Sequence, residues 1–499
     1  MGVIFKQSFK GTVWSYIGTL LGFVITGLML PNFFSTDEVG LFRVLVSYGT
    51  IFAQLANLGV SSVTVKLFPF FRDKDKKHHG FLGFTLLIGL AGTIISVILF
   101  LAFKPVVVAD AQEKSALFVT YIYYVLPLIL FTLLYNVFDT YYRVLYNAVI
   151  GTFYKEVVQR IFILIVIILF YFGYIDFNET VIFYVLANIL PSVILFFSII
   201  RDKVFFIIPS RSLFSKKFLS EFFTVAFFGL INSFSGVLAL NIDVIMINAL
   251  IGLSAAGIYS ITFFFGALIL VPSRSVTKIS SVVAADAWKK NDLKMIYNIY
   301  QKSSLTLTLI GLWILAGIWG NVDNIFHLIK PEYLEGKYVI LVIGIANVID
   351  LMNGNGRQII FNSKYYKNFS AYLTIYVILL VTSNYIFIPI FGIIGAAMAT
   401  LLSKVVLNAM VTIHMFVKHR LFIFNYKYPL IFLMAFAAYF LSTLMPALPN
   451  YIVDIFIRST LISVLYLVPI LAMKISPDIN ENLIKILKYI GISVGRKNG

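Results

Sequence analysis

The chain has 499 residues, 60% of them hydrophobic and only 12% charged, which is more apolar surface than a soluble fold of this length can hide. Its formal net charge of +17 would point to nucleic acid if the basic residues gathered on one domain or face, but they sit in alternate loops. With no Cys in the sequence, disulfides, thiolate metal sites and Cys nucleophiles are excluded together.

Apolar runs of about twenty residues, the length a helix needs to cross roughly 30 Å of hydrocarbon, recur along the whole chain. The first is too long for the core of a signal peptide and no small-residue cleavage site follows it, so no cleavable leader is expected. The first half reads as six spans, at about residues 12–33, 39–65, 80–103, 116–141, 157–176 and 178–200. The second half reads as six more, at about 219–250, 253–280, 302–321, 337–361, 368–390 and 393–417. Two further spans follow at about 428–446 and 451–473, for a total of about fourteen. The expected fold is therefore an all-α polytopic membrane protein of two parallel six-helix bundles, 1–210 and 211–420, with two additional transmembrane helices in 421–475. The tail, 476–499, starts with Ser476-Pro477-Asp478, a helix-start signal. It places Ile479, Leu483, Ile484, Leu487 and Ile490 on one face, so an amphipathic helix on the cytoplasmic membrane surface is expected.

The two halves repeat each other. The break between the first two spans reads Ser35-Thr36-Asp37-Glu38-Val39-Gly40-Leu41-Phe42, and its counterpart reads Gly252-Leu253-Ser254-Ala255-Ala256-Gly257-Ile258-Tyr259. One shift of about 217 residues superposes Gly40 on Gly257, Arg72 on Lys289 and Lys77 on Lys294, as the internal repeat of a transporter should. Charge gives an independent check. With a cytoplasmic N-terminus, roughly thirty of the 39 Lys and Arg fall in inner loops, and the outer loops keep little beyond Lys104, Lys114, Lys330 and Lys337. An even number of spans returns the C-terminus to the cytoplasm.

A charge at membrane depth costs about 2.5–3.5 kcal/mol on insertion scales, so each one is a candidate for function. Arg43 lies near the outer end of the second span, Asp243 in the outer part of the seventh, Asp350 in the tenth, Lys404 in the middle of the twelfth and Arg458 in the fourteenth. Arg43 and Arg458 are near enough to an interface to snorkel. Lys404 is about eleven residues from either end of its span, roughly 16 Å at 1.5 Å per residue, beyond a lysine's comfortable reach. Asp243 and Asp350 are either buried partners of these cations or protonatable groups that couple transport to an ion gradient. Asp139 and Arg143, one turn apart, are expected to bond each other. Arg274 and Arg357 lie toward inner ends, where they also serve orientation. Tyr135 stands in the fourth span beyond the reach of an aromatic belt, and Asn57, Asn136, Asn188, Asn232, Asn241, Asn347 and Asn408 suit either sugar hydroxyls or, more commonly, neighbouring helices. Gly354-Asn355-Gly356 is too short for a nucleotide signature and is expected to loosen the tenth helix.

These features resemble the lipid-linked oligosaccharide and polysaccharide flippases of the multidrug/oligosaccharidyl-lipid/polysaccharide superfamily, including the O-antigen flippases. The resemblance is carried by three segments. They are residues 6–40, with Pro31 ahead of Gly40-Leu41-Phe42; Asn241-Ile242-Asp243 followed by Gly257-Ile258-Tyr259; and Phe391-Gly392-Ile393-Ile394-Gly395-Ala396-Ala397-Met398-Ala399-Thr400. The resemblance implies a plasma-membrane translocator, not an enzyme. It would turn a polyprenyl-pyrophosphate-linked glycan from the cytoplasmic to the outer leaflet by alternating access, with the polysaccharide assembly machinery as a further partner. Arg43, Lys404, Arg274 and Arg458 would then meet the anionic substrate, Asp243 and Asp350 would couple an ion or pair charge, and no cofactor beyond a coupling H+ or Na+ is implied. A multidrug exporter of the same superfamily is the alternative. A glycan polymerase or ligase is less favoured, because no long outer loop is present to carry catalytic residues.

Overall fold

The computed structural model describes residues 2–476 and 480, and every regular element among them is helical. The expected amphipathic tail therefore falls almost entirely outside the described residues. Ten of the described helices are long and apolar enough to cross a membrane, so the chain is a multi-pass membrane protein. The main helices are α1 (Gly2–Gly22), α2 (Thr36–Ala56), α3 (Phe81–Lys114), α4 (Val125–Val144), α5 (Gln159–Tyr171), α6 (Phe177–Arg201) and α7 (Lys216–Leu250). They continue with α8 (Leu253–Ala267), α9 (Leu293–Gly320), α10 (Lys337–Met352), α11 (Tyr366–His419), α12 (Lys427–Thr443) and α13 (Tyr451–Ala472). The 54 residues of α11 are two helices joined at Gly392, whose φ of 59° and ψ of −140° suit a residue without Cβ.

The breaks have local causes. Ser35 caps α2 reciprocally: its hydroxyl accepts from the Glu38 amide at 3.3 Å and the Glu38 carboxylate accepts from the Ser35 amide at 2.8 Å. Leu58 and Gly59, both at positive φ, stop the same helix before it resumes as Val60–Leu67. The span expected over 253–280 is α8, a single 3₁₀ turn at Leu268–Leu270, and then Val271–Lys289, where Pro272 opens the new helix as a residue that needs no amide partner there.

The chain packs as two compact units, one formed by Met1–Thr262 with Leu373–Ala399, the other by Phe263–Tyr372 with Thr400–Gly499. In the first, Phe42 packs edge-on against Phe34 with ring centroids at 5.3 Å and stacks on Tyr184 at 4.4 Å. The internal repeat appears here as a reciprocal contact. A Cβ on Gly40 would overlap the Leu253 carbonyl oxygen, and one on Gly257 would overlap the Thr36 carbonyl oxygen. The same shift that maps Gly40 to Gly257 maps Thr36 to Leu253, so the starts of α2 and α8 touch across a local pseudo-two-fold axis. Only residues without a side chain let two helices approach this closely. Thr36 Oγ1 and Ser254 Oγ close the contact at 2.7 Å.

In the second unit, α12 and α13 lie against α9 around Leu305, Leu309, Leu312, Ile431, Ile462 and Tyr466. Interhelical hydrogen bonds fasten them, with Tyr466 donating to the Leu309 carbonyl at 2.9 Å and Trp313 Nε1 to Ser463 Oγ at 3.0 Å. In lipid such bonds and close packing, rather than water exclusion, hold helices together.

Candidate functional site

The polar groups at membrane depth gather in each unit separately. In the second unit they centre on Asp350. Asn347 and Asp350 are three residues apart on α10, and Lys404 and Asn408 four apart on α11, so each pair projects from one face of its helix. Lys404 Nζ lies 3.6 Å from Asp350 Oδ2 and donates to Asn347 Oδ1. Arg357 donates to Asp350 Oδ1, which also accepts from Asn408 Nδ2 at 3.0 Å.

Arg357 reaches this carboxylate because α10 stops at Met352, turns through Gly354 at a φ of 51°, and restarts at Gly356. The expected loosening of the tenth helix is thus a complete break. Asn353 fixes the turn: its Oδ1 accepts from the Tyr300 hydroxyl at 3.0 Å and its Nδ2 donates to the Asn408 carbonyl at 3.1 Å. Two cations share one carboxylate, Asp350, which is buried while Arg357 keeps 29% of its side chain exposed.

In the first unit, Asp243 is buried and accepts from the Tyr259 hydroxyl and from Asn384 Nδ2, both at 2.7 Å. Arg43 is half-buried one turn beyond Gly40, and its electrostatic neighbours are the phenols Tyr184 and Tyr259 rather than carboxylates. Tyr259 thereby stands between the sequence-predicted cation and the sequence-predicted acid. Asp139 and Arg143 bond each other at 3.0 Å, as expected from their spacing.

A cavity of about 70 Å³ within the same unit is lined by Thr50, Thr132, Tyr135, Lys155, Gln159 and Asn188. Lys155 Nζ sits 4.6 Å from the Tyr135 ring centroid, a cation–π contact, and Gln159 donates to Asn188 at 2.9 Å. Sequence reasoning counted Lys155 among the inner-loop charges and missed it as a lining residue. The signal available was Tyr135, an aromatic residue with no place in an interfacial belt.

Arg274 is exposed on Val271–Lys289. Arg458 is held on all sides: Nε and Nη2 donate to Asp454 at 3.0 and 3.2 Å, Nη1 to the Ser442 carbonyl at 2.6 Å and Nη2 to that of Met445 at 3.4 Å. Asp454 in turn accepts from Asn324 at 2.5 Å and from the Leu448 amide at 3.2 Å. This arrangement ties the α12–α13 connection together, and Asp454 four residues before Arg458 was the legible sign of it. Asp454→Ala alone is expected to cost about 3–5 kcal/mol by stranding a buried guanidinium. Asp454→Leu with Arg458→Met should restore most of that stability and leave transport intact. Thermal unfolding of the purified variants and a transport assay check both, and loss of transport in a stable double variant would return Arg458 to the substrate path.

Comparisons with known proteins agree with this architecture. The lipid II flippase MurJ in an inward closed conformation matches with a TM-score of 0.72 at 15% identity, covering 95% of this chain and 99% of that one. A multidrug resistance MATE family transporter of the MOP superfamily, inward-facing, matches with a TM-score of 0.60 at 12% identity over 79% of this chain and 92% of the other. A MOP superfamily transporter from Pyrococcus furiosus, described by the reverse polarity of its binding pocket, matches with a TM-score of 0.55 at 15% identity over 82% and 93%. At such identities the likeness establishes the fold. No curated protein matches the sequence. The family model described as "Polysaccharide biosynthesis protein" matches residues 6–284, more than half of the chain. With that match and a flippase-like fold, the chain belongs to the polysaccharide biosynthesis protein family.

Proposed function

We propose that this protein translocates a lipid-linked glycan, carried on polyprenyl pyrophosphate, from the cytoplasmic to the outer leaflet of the plasma membrane for surface polysaccharide or O-antigen assembly. The observation that carries the reading is the gathering of cations at membrane depth: Lys404 and Arg357 on the Asp350 carboxylate, and Arg43 beside the phenols of Tyr184 and Tyr259. Such charges cost several kcal/mol to insert, and an anionic cargo that passes them compensates that cost at the moment of transport. Pyrophosphate oxygens suit the Lys404 and Arg357 cations of the second unit, and Arg43 offers the first unit a cation of its own for an anionic group. Lys155, with the Tyr135 ring and the Gln159 and Asn188 amides, suits a sugar ring, and Arg274 is placed for capture at the inner face. The lipid tail stays in the bilayer while the head group crosses, and the two six-helix repeats rock to alternate access. Asp243 is the group we assign to ion coupling. The Tyr259 phenol and the Asn384 amide that donate to it are neutral, and they can serve a bare, protonated or Na+-bound carboxylate alike.

The test is Lys404→Ala and Arg43→Ala in cells making the glycan. Each is expected to lower outward transport about tenfold or more, the loss of a charge-assisted contact of about 1.5–3 kcal/mol, with lipid-linked glycan accumulating on the cytoplasmic face at normal protein level. Unchanged export would remove these cations from the mechanism. A multidrug exporter is the second reading, and drug efflux that persists in Lys404→Ala without any glycan phenotype would favour it.

A further inference from the structure

The connection between the two repeats, residues 202–215 from the end of α6 to the start of α7, folds back within the first unit onto the turn that precedes α3. Ser210 donates its amide to the His79 carbonyl at 2.9 Å, and the Tyr141 hydroxyl donates to the carbonyl of Val204 at 3.1 Å. A Cβ on Gly80 would overlap the Ile208 carbonyl oxygen and one on Gly83 that of Ile207, so the two glycines let the connection lie directly on the turn. Lys77, His78, His79 and Gly80 hold successive φ values of 51°, 48°, 53° and 65°, a left-handed run that residues with a Cβ avoid unless their surroundings impose it. His78 is 1% exposed, and its ring lies among Phe68, Tyr141 and, from the connection, Phe206, with centroids at 5.5, 6.5 and 5.6 Å. Neither ring nitrogen has a hydrogen-bond partner among the described residues. A phenylalanine would fill the same space without two unpaired nitrogens, so an imidazole here is costly packing.

We infer that His78 is a proton-operated catch: its neutral ring holds residues 204–210 closed on the turn, and its protonated ring releases them. Protonation adds an N–H and a charge in a place where the described residues offer no acceptor, and aromatic faces do not replace the hydration a charged ring loses. Of its electrostatic neighbours, Lys74, Arg72 and His79 oppose a positive ring and Asp73 favours one. Asp73 is already engaged, its Oδ1 accepting from the amides of Asp75 and Lys76 at 3.0 and 3.2 Å. The other walls bring no ionised group: Tyr141 contributes a phenol from α4, Phe68 and Phe206 contribute plain rings, and 204–210 contains no titratable side chain.

Released into water, the ring has the ordinary histidine value of about 6.5, whereas the enclosed ring stays neutral at that pH. The closed form therefore binds fewer protons than the open one. Closure is complete above about pH 6.5 and weakens as pH falls, with the ratio of open to closed rising about tenfold by about pH 5.5. The distribution of Lys and Arg assigns this loop to the cytoplasmic side, so the catch answers to protons there. It loosens the chain between the repeats whatever cargo the protein moves.

The experiment is hydrogen exchange read by mass spectrometry on the purified full-length protein at about pH 7.5 and about pH 5.5, with labelling times scaled for the intrinsic pH dependence of amide exchange. Peptides covering 202–210 should lose protection about tenfold at the lower pH, while peptides from the middle of α6 keep theirs. His78→Phe should hold the segment closed at both values, because a ring of similar shape cannot take a proton. His78→Asn suits positive φ and does not titrate, so it should be indifferent to pH even if the phenylalanine variant folds poorly. His79→Gln should respond as wild type does. Equal protection of wild type at both values overturns the proposal, as does a pH response that survives in His78→Phe or His78→Asn. Loss of the response in His79→Gln would move the proton to that ring, and loss of protection across α6 as well would mark general loosening in acid; either result overturns it too.

Discussion

Asp350→Asn is expected to remove stability and not only transport. The substitution keeps the shape of the side chain and all its neighbours, so the change is one of charge alone. Asp350 is buried, and its carboxylate bonds Arg357, lies beside Lys404 and accepts from Asn408. Without its charge, an ammonium and a guanidinium at membrane depth lose the carboxylate they share. Removing one member of a buried ion pair costs about 3–5 kcal/mol, against a total stability of about 5–15 kcal/mol for an ordinary domain. The purified variant should melt far below wild type and accumulate poorly. Adding Lys404→Gln to Asp350→Asn removes one of the two cations that shared the carboxylate and should recover much of the lost stability without recovering transport. Lys404→Gln alone leaves the Arg357–Asp350 pair whole, so that variant should fold and fail to transport. Melting temperatures of the three proteins, set beside their transport rates, separate the structural role of Asp350 from the functional role of Lys404. An Asp350→Asn protein as stable as wild type would show that the cluster is not charge-balanced in this way.

The contrast between Lys404 and Arg357 shows what the chain alone makes legible. Lys404 stands out because a lysine in the middle of an apolar run cannot reach water, a conclusion that needs only a helix rise and a bilayer thickness. Arg357 does not stand out. Seven residues from Asp350 is two turns, about 10 Å along an unbroken helix, and only the turn through Gly354 brings the guanidinium back to the carboxylate. The helices themselves were legible for the same reason as Lys404: the bilayer imposes length, and the Ser35–Glu38 box and Gly392 mark their ends by chemistry that reads directly from the residues. Lys155 was hidden because Tyr135 and Asn188, which line the same cavity, lie 20 and 33 residues away on other helices. A loop charge and a cavity charge look alike until the helices are packed. Arg458 reads from the sequence as a cation near enough to an interface to snorkel, whereas its pairing with Asp454 depends on reading the two together.

Joining Thr36 to Ser254 by a disulfide is expected to stop transport outright. The two hydroxyl oxygens are 2.7 Å apart, and at that separation their Cβ atoms lie near the roughly 3.5–4.5 Å a disulfide spans. Because the chain has no Cys of its own, Thr36→Cys with Ser254→Cys gives a single possible intramolecular cross-link. If the alternating access proposed above runs through the repeat, the starts of α2 and α8, which meet at Gly40 and Gly257, part during each cycle. The oxidised double variant should therefore lose transport by about tenfold or more, at least 1.4 kcal/mol in the barrier, and regain it on reduction, while either single variant works in both conditions. Gly257→Leu supplies the opposite perturbation. Its side chain would occupy the space of the Thr36 carbonyl oxygen and hold the two helix starts apart, so adding it to the cysteine pair should abolish cross-linking as read by mobility on a denaturing gel. Transport at the wild-type rate in fully cross-linked protein would mean that this glycine contact is a fixed hinge, and that the moving surfaces lie elsewhere.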